Sequence, residues 1–335
     1  MGMNILVVGG AGYIGSHFVR AASDAGHRPV VLDSLVRGHR ESLHPSVMLY
    51  PVDLSDESAV GAICHAEDID VVAHFGAFAY VGESVVDPLA YYLNNAAATF
   101  HLVRAMLRAG VNRLVFSSSC ATYGIPASVP IVEGAPQVPI CPYGQTKLDV
   151  ETMLRAVARA HGLSFAALRY FNAAGAASDG TIGEDHEPET HLIPLAIGAA
   201  TWDRPPLCIF GADYPTQDGT CLRDYIHVDD LSAAHLAVLP LLDERGAQLF
   251  YNLGTGMPVS VRQVISAVEK VTGREVPFAV AGHRAGDPPV LYADATRARC
   301  DLRWSPQYLD IEAIVDSAWR WHRMHPDGYS RRSDG

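Results

Sequence analysis

Tyr143 and Lys147 stand four residues apart in the stretch CPYGQTKLDVE, and on a helix that spacing places them on one face. A free tyrosine is a poor base at neutral pH, because its pKa is about 10 and ionising it there costs roughly 4 kcal/mol. An ammonium held beside the phenol favours the phenolate and lowers that cost. The pair is thus a candidate for moving a proton. The same spacing also occurs on ordinary solvated helix faces, so the surrounding chain decides its meaning. The chain has a formal net charge of −12, so an anionic small ligand must be met by local cations. A guanidinium suits phosphate oxygens, which it binds two at a time.

These groups need a scaffold, and the N-terminal half has the pattern of one. The apolar run from Met3 to Gly9 reads as a buried strand. It enters GGAGYIGSH, where Gly9, Gly12 and Gly15 are spaced G-x-x-G-x-x-G. A helix with Phe18, Val19 and Ala22 inward follows, ending near Gly26, and then a strand ending in Asp33. Strand, glycine turn, helix, strand and acid form the dinucleotide fingerprint. Glycines let the backbone approach a pyrophosphate, and the helix start offers unpaired N–H groups. Asp33 can accept from both ribose hydroxyls, which favours NAD over a 2′-phosphorylated cofactor. Arg37 is read as a solvated loop residue.

The alternation continues with a third strand ending at Asp53, a helix over 57–67, a strand over 70–77 and a helix over 95–109. Phe100, Val103, Met106 and Leu107 are expected inward on that last helix. A fifth strand over 113–119, the Tyr-Lys helix to Gly162 and a sixth strand over 164–172 follow. The fold class expected is α/β: a doubly wound parallel sheet (Rossmann) with a smaller mixed α/β C-terminal substrate domain. The expected division is 1–175 for the NAD-binding domain and 176–335 for the substrate domain, with about 224–255 returning to the first. The stretch from Phe210 to Asp230 reads as polar and turn-rich, and a helix from Val261 is capped by Ser260 and Gly273. In EDHEPETH, His186 and His191 fit no familiar ligand spacing. That stretch is read as a solvated loop, and no metal is expected.

Composition excludes other classes. Hydrophobic residues at 49% and charged residues at 19% describe an ordinary globular protein. No Lys/Arg-rich block exists, so neither nucleic acid nor a membrane is an expected partner. The six cysteines show no C-x-x-C spacing and are read as reduced thiols in a cytoplasmic protein.

The glycine turn, Y-x-x-x-K and the longer runs HFGAFAYVGES, FSSSCATYG, LRYFNAAGA, GTCLRDYIHVDDL and RAGDPPVLYAD together resemble the UDP-glucose 4-epimerase family. That family belongs to the extended short-chain dehydrogenase/reductase superfamily. The resemblance implies reversible inversion of sugar carbon four through a transient 4-keto sugar, with NAD bound throughout. It implies that Tyr143, Lys147 and Ser119 are catalytic. Cofactor contacts are implied for Gly9, Gly12, Tyr13, Ile14, Gly15, Asp33, Ser34, Asp53, Leu54, Phe75, Ala77, Asn94, Lys147 and Tyr170. Substrate contacts are implied for Ser119, Tyr143, Asn172, His191, Leu192, Phe210, Arg223, Arg284, Asp287 and Leu291; Arg223 and Arg284, with Asp287, would hold the UDP portion, the alternative for Arg223 being an ion pair with Asp224. Ala79 departs from the lysine common in the family, and Leu291 is intermediate in bulk at a position that gates the sugar carbon-two substituent. UDP-pentose or UDP-N-acetylhexosamine epimerisation therefore stays open. The loop from Ser119 to Tyr123 carries no acid, which argues against a dehydratase or decarboxylase. A non-catalytic NAD sensor would be expected to lack the intact Ser119, Tyr143 and Lys147. A homodimer is implied, with Phe100, Leu107, Met153 and Leu154 either in its helical interface or facing their own sheet.

Overall fold

Short, continuous apolar runs form the central strands because both of their faces are covered. The computed structural model describes residues 2–202, 204–283 and 288–329. Its first strands are β1 (Asn4–Val8), β2 (Arg28–Leu32), β3 (Met48–Tyr50), β4 (Val71–His74), β5 (Arg113–Ser119) and β6 (Ser164–Tyr170). The helices among them are α1 (Tyr13–Asp24), α2 (Glu57–Ala66), α3 (Val81–Val86), α4 (Pro88–Tyr91), α5 (Ala98–Arg108) and α6 (Pro142–His161). Then come β7 (Asn172–Ala174), α7 (Leu192–Thr201), β8 (Leu207–Phe210), β9 (Leu222–His227), α8 (Val228–Ala237) and β10 (Gln248–Leu253). The last elements are β11 (Pro258–Ser260), α9 (Val261–Thr272), β12 (Phe278–Ala281), β13 (Val290–Leu291), α10 (Thr296–Asp301) and α11 (Ile311–Met324).

Among the described residues the large sheet runs β10-β6-β5-β4-β1-β2-β3, all pairs parallel. Strand order reverses between β1 and β4, where an α/β sheet opens a crevice at its C-terminal edge. One face is covered by Phe18 and Val19 of α1 with Leu231 and Ala234 of α8. The other is covered by Val60 of α2, Leu102 and Met106 of α5, and Val150 and Leu154 of α6. A second sheet is centred on β9, which pairs with β7, β11 and β13, while β8 pairs with β12. None of the helices among the described residues is long and apolar enough to cross a membrane.

Several local expectations change. The sixth strand stops at Tyr170; after Phe171 the chain leaves the large sheet, and β7 joins β9. The third strand stops at Tyr50 because Pro51 has no N–H for the ladder, so Asp53 lies in the following turn. Residues Tyr92–Ala97 are π-helical, and α5 begins only at Ala98. Its buried stripe is Thr99, Leu102, Val103 and Met106, and Phe100 faces outward at 39% exposure. Leu107, Met153 and Leu154 pack on their own core. The run read as turn-rich between Phe210 and Asp230 contains β9 and the start of α8. Its polar residues disguise it: Asp224 and His227 are fully buried, and Asp224 accepts from the N–H groups of Thr255, Gly256 and Ala293.

A buried ion pair stiffens the sheet below its C-terminal edge. Arg169 of β6 and Glu151 of α6 are 1% and 0% exposed and lie 2.6 Å apart. Ser118 Oγ donates to the same carboxylate at 2.6 Å, and Arg169 Nη1 donates to the Tyr123 hydroxyl at 2.8 Å. Removing one member of such a pair strands the other charge. We expect Arg169→Met to cost about 3–5 kcal/mol in urea unfolding, and a joint Arg169→Met, Glu151→Met replacement to recover most of it. A single-variant loss below about 1 kcal/mol would rule out this role.

Candidate active site

The crevice gathers residues from separate strand ends. The glycine turn links β1 to α1, and its close packing depends on missing side chains. A Cβ on Gly15 would lie 2.1 Å from the Gly9 carbonyl oxygen, whereas one on Gly12 would meet only that oxygen, at 3.4 Å. Gly12 precedes α1, so the first-turn N–H groups have no side-chain cap there. That arrangement fits a diphosphate. At the end of β2, Asp33 is 8% exposed and accepts from Ala11 N at 2.9 Å and Leu35 N at 2.8 Å. Each carboxylate oxygen has a further lone pair, as a ribose would need. Burial pushes the Asp33 carboxyl up, against the pull of those N–H donors. Leu54 is buried, while Ser34 and Asp53 are exposed, with Asp53 accepting from Ser55 N at 2.8 Å.

Tyr143 and Lys147 enter the crevice from the first turns of α6. Cys141 caps that helix through its sulfur, Pro142 occupies its first position and Gly162, at φ 74°, ends it. Lys147 is 3% exposed. Its Nζ donates to the Ser117 carbonyl at 2.7 Å and lies 5.9 Å from the Tyr143 ring centroid. Ser117 Oγ is hydrogen-bonded to the Tyr170 hydroxyl. Ser119, at the end of β5, accepts from Ala121 N at 3.1 Å and pulls the Tyr143 phenol down. Burial dominates that phenol, however, and raises it well above its ordinary value, while Lys147 is itself lowered to about 7 by burial. The expected lowering by the ammonium is therefore not present in the chain alone, because desolvation penalises both charges.

Further residues brought to this edge include Phe75, whose ring lies tilted 4.8 Å from that of His235, and half-buried Ala77. Asn94 donates to Asn95 Oδ1 at 2.9 Å. Asn95, overlooked in the sequence, holds the Phe78 N–H and carbonyl and reaches Thr146 of α6. Its signal was the Asn-Asn pair before an apolar helix. Tyr13 donates to the Gly175 carbonyl at 2.7 Å, joining the glycine turn to the loop after β7.

The second sheet forms the other wall. Asn172 pairs with Tyr225, and Arg223 of β9 is the register partner of Leu291 of β13. Leu291 packs against a cluster with Tyr123, Phe171 and Ala293. Arg223 lies close enough to Cys120, next to Ser119, to pull its thiol down, although burial still lifts it to about 12. Phe210 closes β8, and Leu192 opens α7. Arg284 and Asp287 lie outside the described residues.

Two readings of the sequence need correction. Arg37 is not a solvated loop residue: its guanidinium sits 4.5 Å from both the Phe78 and Tyr80 ring centroids and pairs with Glu83 at 2.6 Å. Stacking and pairing together half-bury it. Nor is EDHEPETH a solvated loop. Glu184, His186 and Glu189 have side chains only 5%, 17% and 8% exposed, because carboxylates and imidazoles face each other there. His191 is 39% exposed, with Nδ1 at 2.6 Å from Glu184 Oε1.

Comparison with known proteins decides the family. Residues 5–254 match the NAD dependent epimerase/dehydratase family. The chain belongs to this family. It is 46% identical over 331 residues to a UDP-glucose 4-epimerase of Lacticaseibacillus casei, covering 99% of this chain and 100% of that one. A UDP-glucose 4-epimerase from Brucella ovis, solved in complex with NAD, superposes with a TM-score of 0.92 at 46% identity, covering 95% and 98% of the two chains. One from Bifidobacterium longum, in complex with NAD+ and UDP, gives 0.93 at 36% identity, covering 97% and 99%. In this family member the glycine turn and the Tyr-Lys helix share a single crevice.

The buried lysine makes stability depend on pH. Between about pH 7 and pH 10.5 the unfolded chain holds a proton on Lys147 that the folded chain has released. This component of stability therefore rises with pH across that window. Lys147→Met lacks it. We expect the stability advantage of Lys147→Met over the parent, measured by urea unfolding, to shrink steadily from pH 7 to pH 10.5. A gap that stays constant with pH would contradict the lowered ammonium.

Proposed function

We propose that the chain interconverts UDP-glucose and UDP-galactose by inverting sugar carbon four, with NAD retained from turnover to turnover. The observation that carries this reading is the convergence of Tyr143, Lys147 and Ser119 at the strand ends beside an uncapped glycine-turn helix. In this reading Gly9, Gly12, Tyr13, Ile14 and Gly15 receive the diphosphate of NAD, Asp33 the ribose hydroxyls, and Lys147 and Tyr170 its other end. When bound, NAD supplies a reversible hydride acceptor for carbon four.

The chain's own groups manage the proton and the orientation. Ser119 positions the 4-hydroxyl, Tyr143 takes its proton, and the same phenol returns it when the sugar presents its opposite face. Lys147 holds the phenol's surroundings rigid through the Ser117 carbonyl. Arg223 anchors the UDP phosphates while the sugar turns, with Asn172, His191, Leu192, Phe210 and Leu291 lining its space. UDP-glucose is favoured over a pentose or N-acetylhexosamine by the relatives' names. A homodimer is part of the proposal, since Tyr92, Leu93 and Phe100 leave apolar surface on the π-helical segment and α5.

Untagged protein incubated with a panel of UDP-sugars, without added NAD, should equilibrate UDP-glucose with UDP-galactose and accumulate no NADH. The same preparation should sediment as a dimer. Tyr143→Phe should lose about 10²–10⁴-fold in turnover yet keep its NAD. Near-parental turnover in that variant, or a stable 4-keto product from the parent, would overturn the assignment.

A further inference from the structure

At the rim of the crevice, where His191 also borders the sugar's space, four potential metal ligands come together. Glu184, His186, Glu189 and His191 each offer an atom, and these atoms all lie within 4.8 Å of one another. His191 Nδ1 is 2.6 Å from Glu184 Oε1 and 3.3 Å from Glu189 Oε1. His186 Nδ1 is 3.2 Å from Glu184 Oε1 and 3.8 Å from Glu189 Oε2. A tetrahedral zinc ion with bonds of about 2.0–2.1 Å separates its ligands by about 3.3 Å. The distances, which reach both carboxylate oxygens of Glu189, lie on either side of that edge.

The second observation concerns alignment. Glu184 is only 5% exposed, and its Oε1, like Nδ1 of His186 and of His191, has ion-pair contacts but no aligned hydrogen bond. These atoms approach one another without the directions a hydrogen bond requires. Buried polar atoms left in this state are costly. A cation among these imidazole and carboxylate atoms would instead satisfy them. Two carboxylates, two neutral imidazoles and one divalent ion also sum to zero charge, which suits a buried site.

We propose that Glu184, His186, Glu189 and His191 bind one divalent first-row metal ion, best matched by Zn2+, in a structural site. The surroundings give it a task. His186 lies 6.2 Å from the Tyr13 ring and 5.7 Å from the Tyr80 ring, centroid to centroid. His191 immediately precedes α7. The ion would therefore fasten the start of α7 to the glycine turn and to the loop after β4. Supporting bonds already hold the segment: Glu189 Oε1 accepts from the N–H groups of Thr190 and His191, both at 2.7 Å. Asp185 accepts from Tyr329 N at 2.7 Å.

The test uses untagged full-length protein, stripped with chelator and then titrated with Co2+ or Zn2+. The parent should take up one ion per chain, show the intense visible bands of tetrahedral Co2+, and gain about 5 °C in Tm with excess Zn2+. Glu184→Gln and His186→Asn, verified as folded by circular dichroism, should bind about a hundredfold more weakly or not at all. A parent that binds less than about 0.1 ion per chain, with no visible band and no change in Tm, overturns the site, and that result needs no variant. Undiminished binding in both variants also overturns it, because the ion would then sit elsewhere.

Discussion

Lys147 reaches the Ser117 carbonyl at 2.7 Å from a position where almost no water can help it. That reach fixes how α6 lies across the end of β5. It sets Tyr143 one turn earlier on the same helix, beside Ser119. It also holds Ser117, whose hydroxyl is bonded to Tyr170 at the end of β6. Three strand-end residues and one helix are thus referred to a single side-chain nitrogen. The cost is paid in desolvation, which lowers Lys147 to about 7 and raises Tyr143 above its ordinary range.

Rigidity beneath that point comes from a second buried charge. Glu151 is one turn further along α6 than Lys147 and meets Arg169 of β6. The same helix is therefore tied to β5 through Ser117 and Ser118, and to β6 through Arg169. Both ties are polar and buried, so each has one geometry in which its hydrogen bonds are met. Apolar packing of Val150 and Leu154 on the sheet supplies most of the attachment, and the polar ties choose the register. The switch of the chain from the large sheet to the second at Phe171 then sets Asn172 and β9 across the crevice.

How much of this could be read from the residues depended on whether local pattern and burial agreed. The Rossmann half was legible because glycine spacing, apolar runs and helix punctuation all point the same way. The end of α6 at Gly162 and the capping box of Ser260 with Gln263 follow from local chemistry alone. β9 was illegible because Asp224 and His227 look like surface residues and are buried only through partners distant in the chain. Phe100 misled because the π-helical turn before α5 shifts which residues face inward. The cluster in EDHEPETH was missed because its ligands follow no helical or strand period, and a loop brings them together. Arg169 did leave a sign, a lone charge inside the otherwise apolar SFAALRY, and its weight was not recognised.

The central claim is that Tyr143 is a proton carrier whose ionisation is set by burial and by Lys147 together. Ultraviolet difference titration of tyrosinate, comparing the parent with Tyr143→Phe, measures it directly. Without cofactor, Tyr143 should ionise only above its ordinary pKa of about 10. In the NAD-loaded chain it should ionise well below that value, and Lys147→Met should abolish the drop. Titration at the same pH in the NAD-loaded parent and in NAD-loaded Lys147→Met would contradict the account.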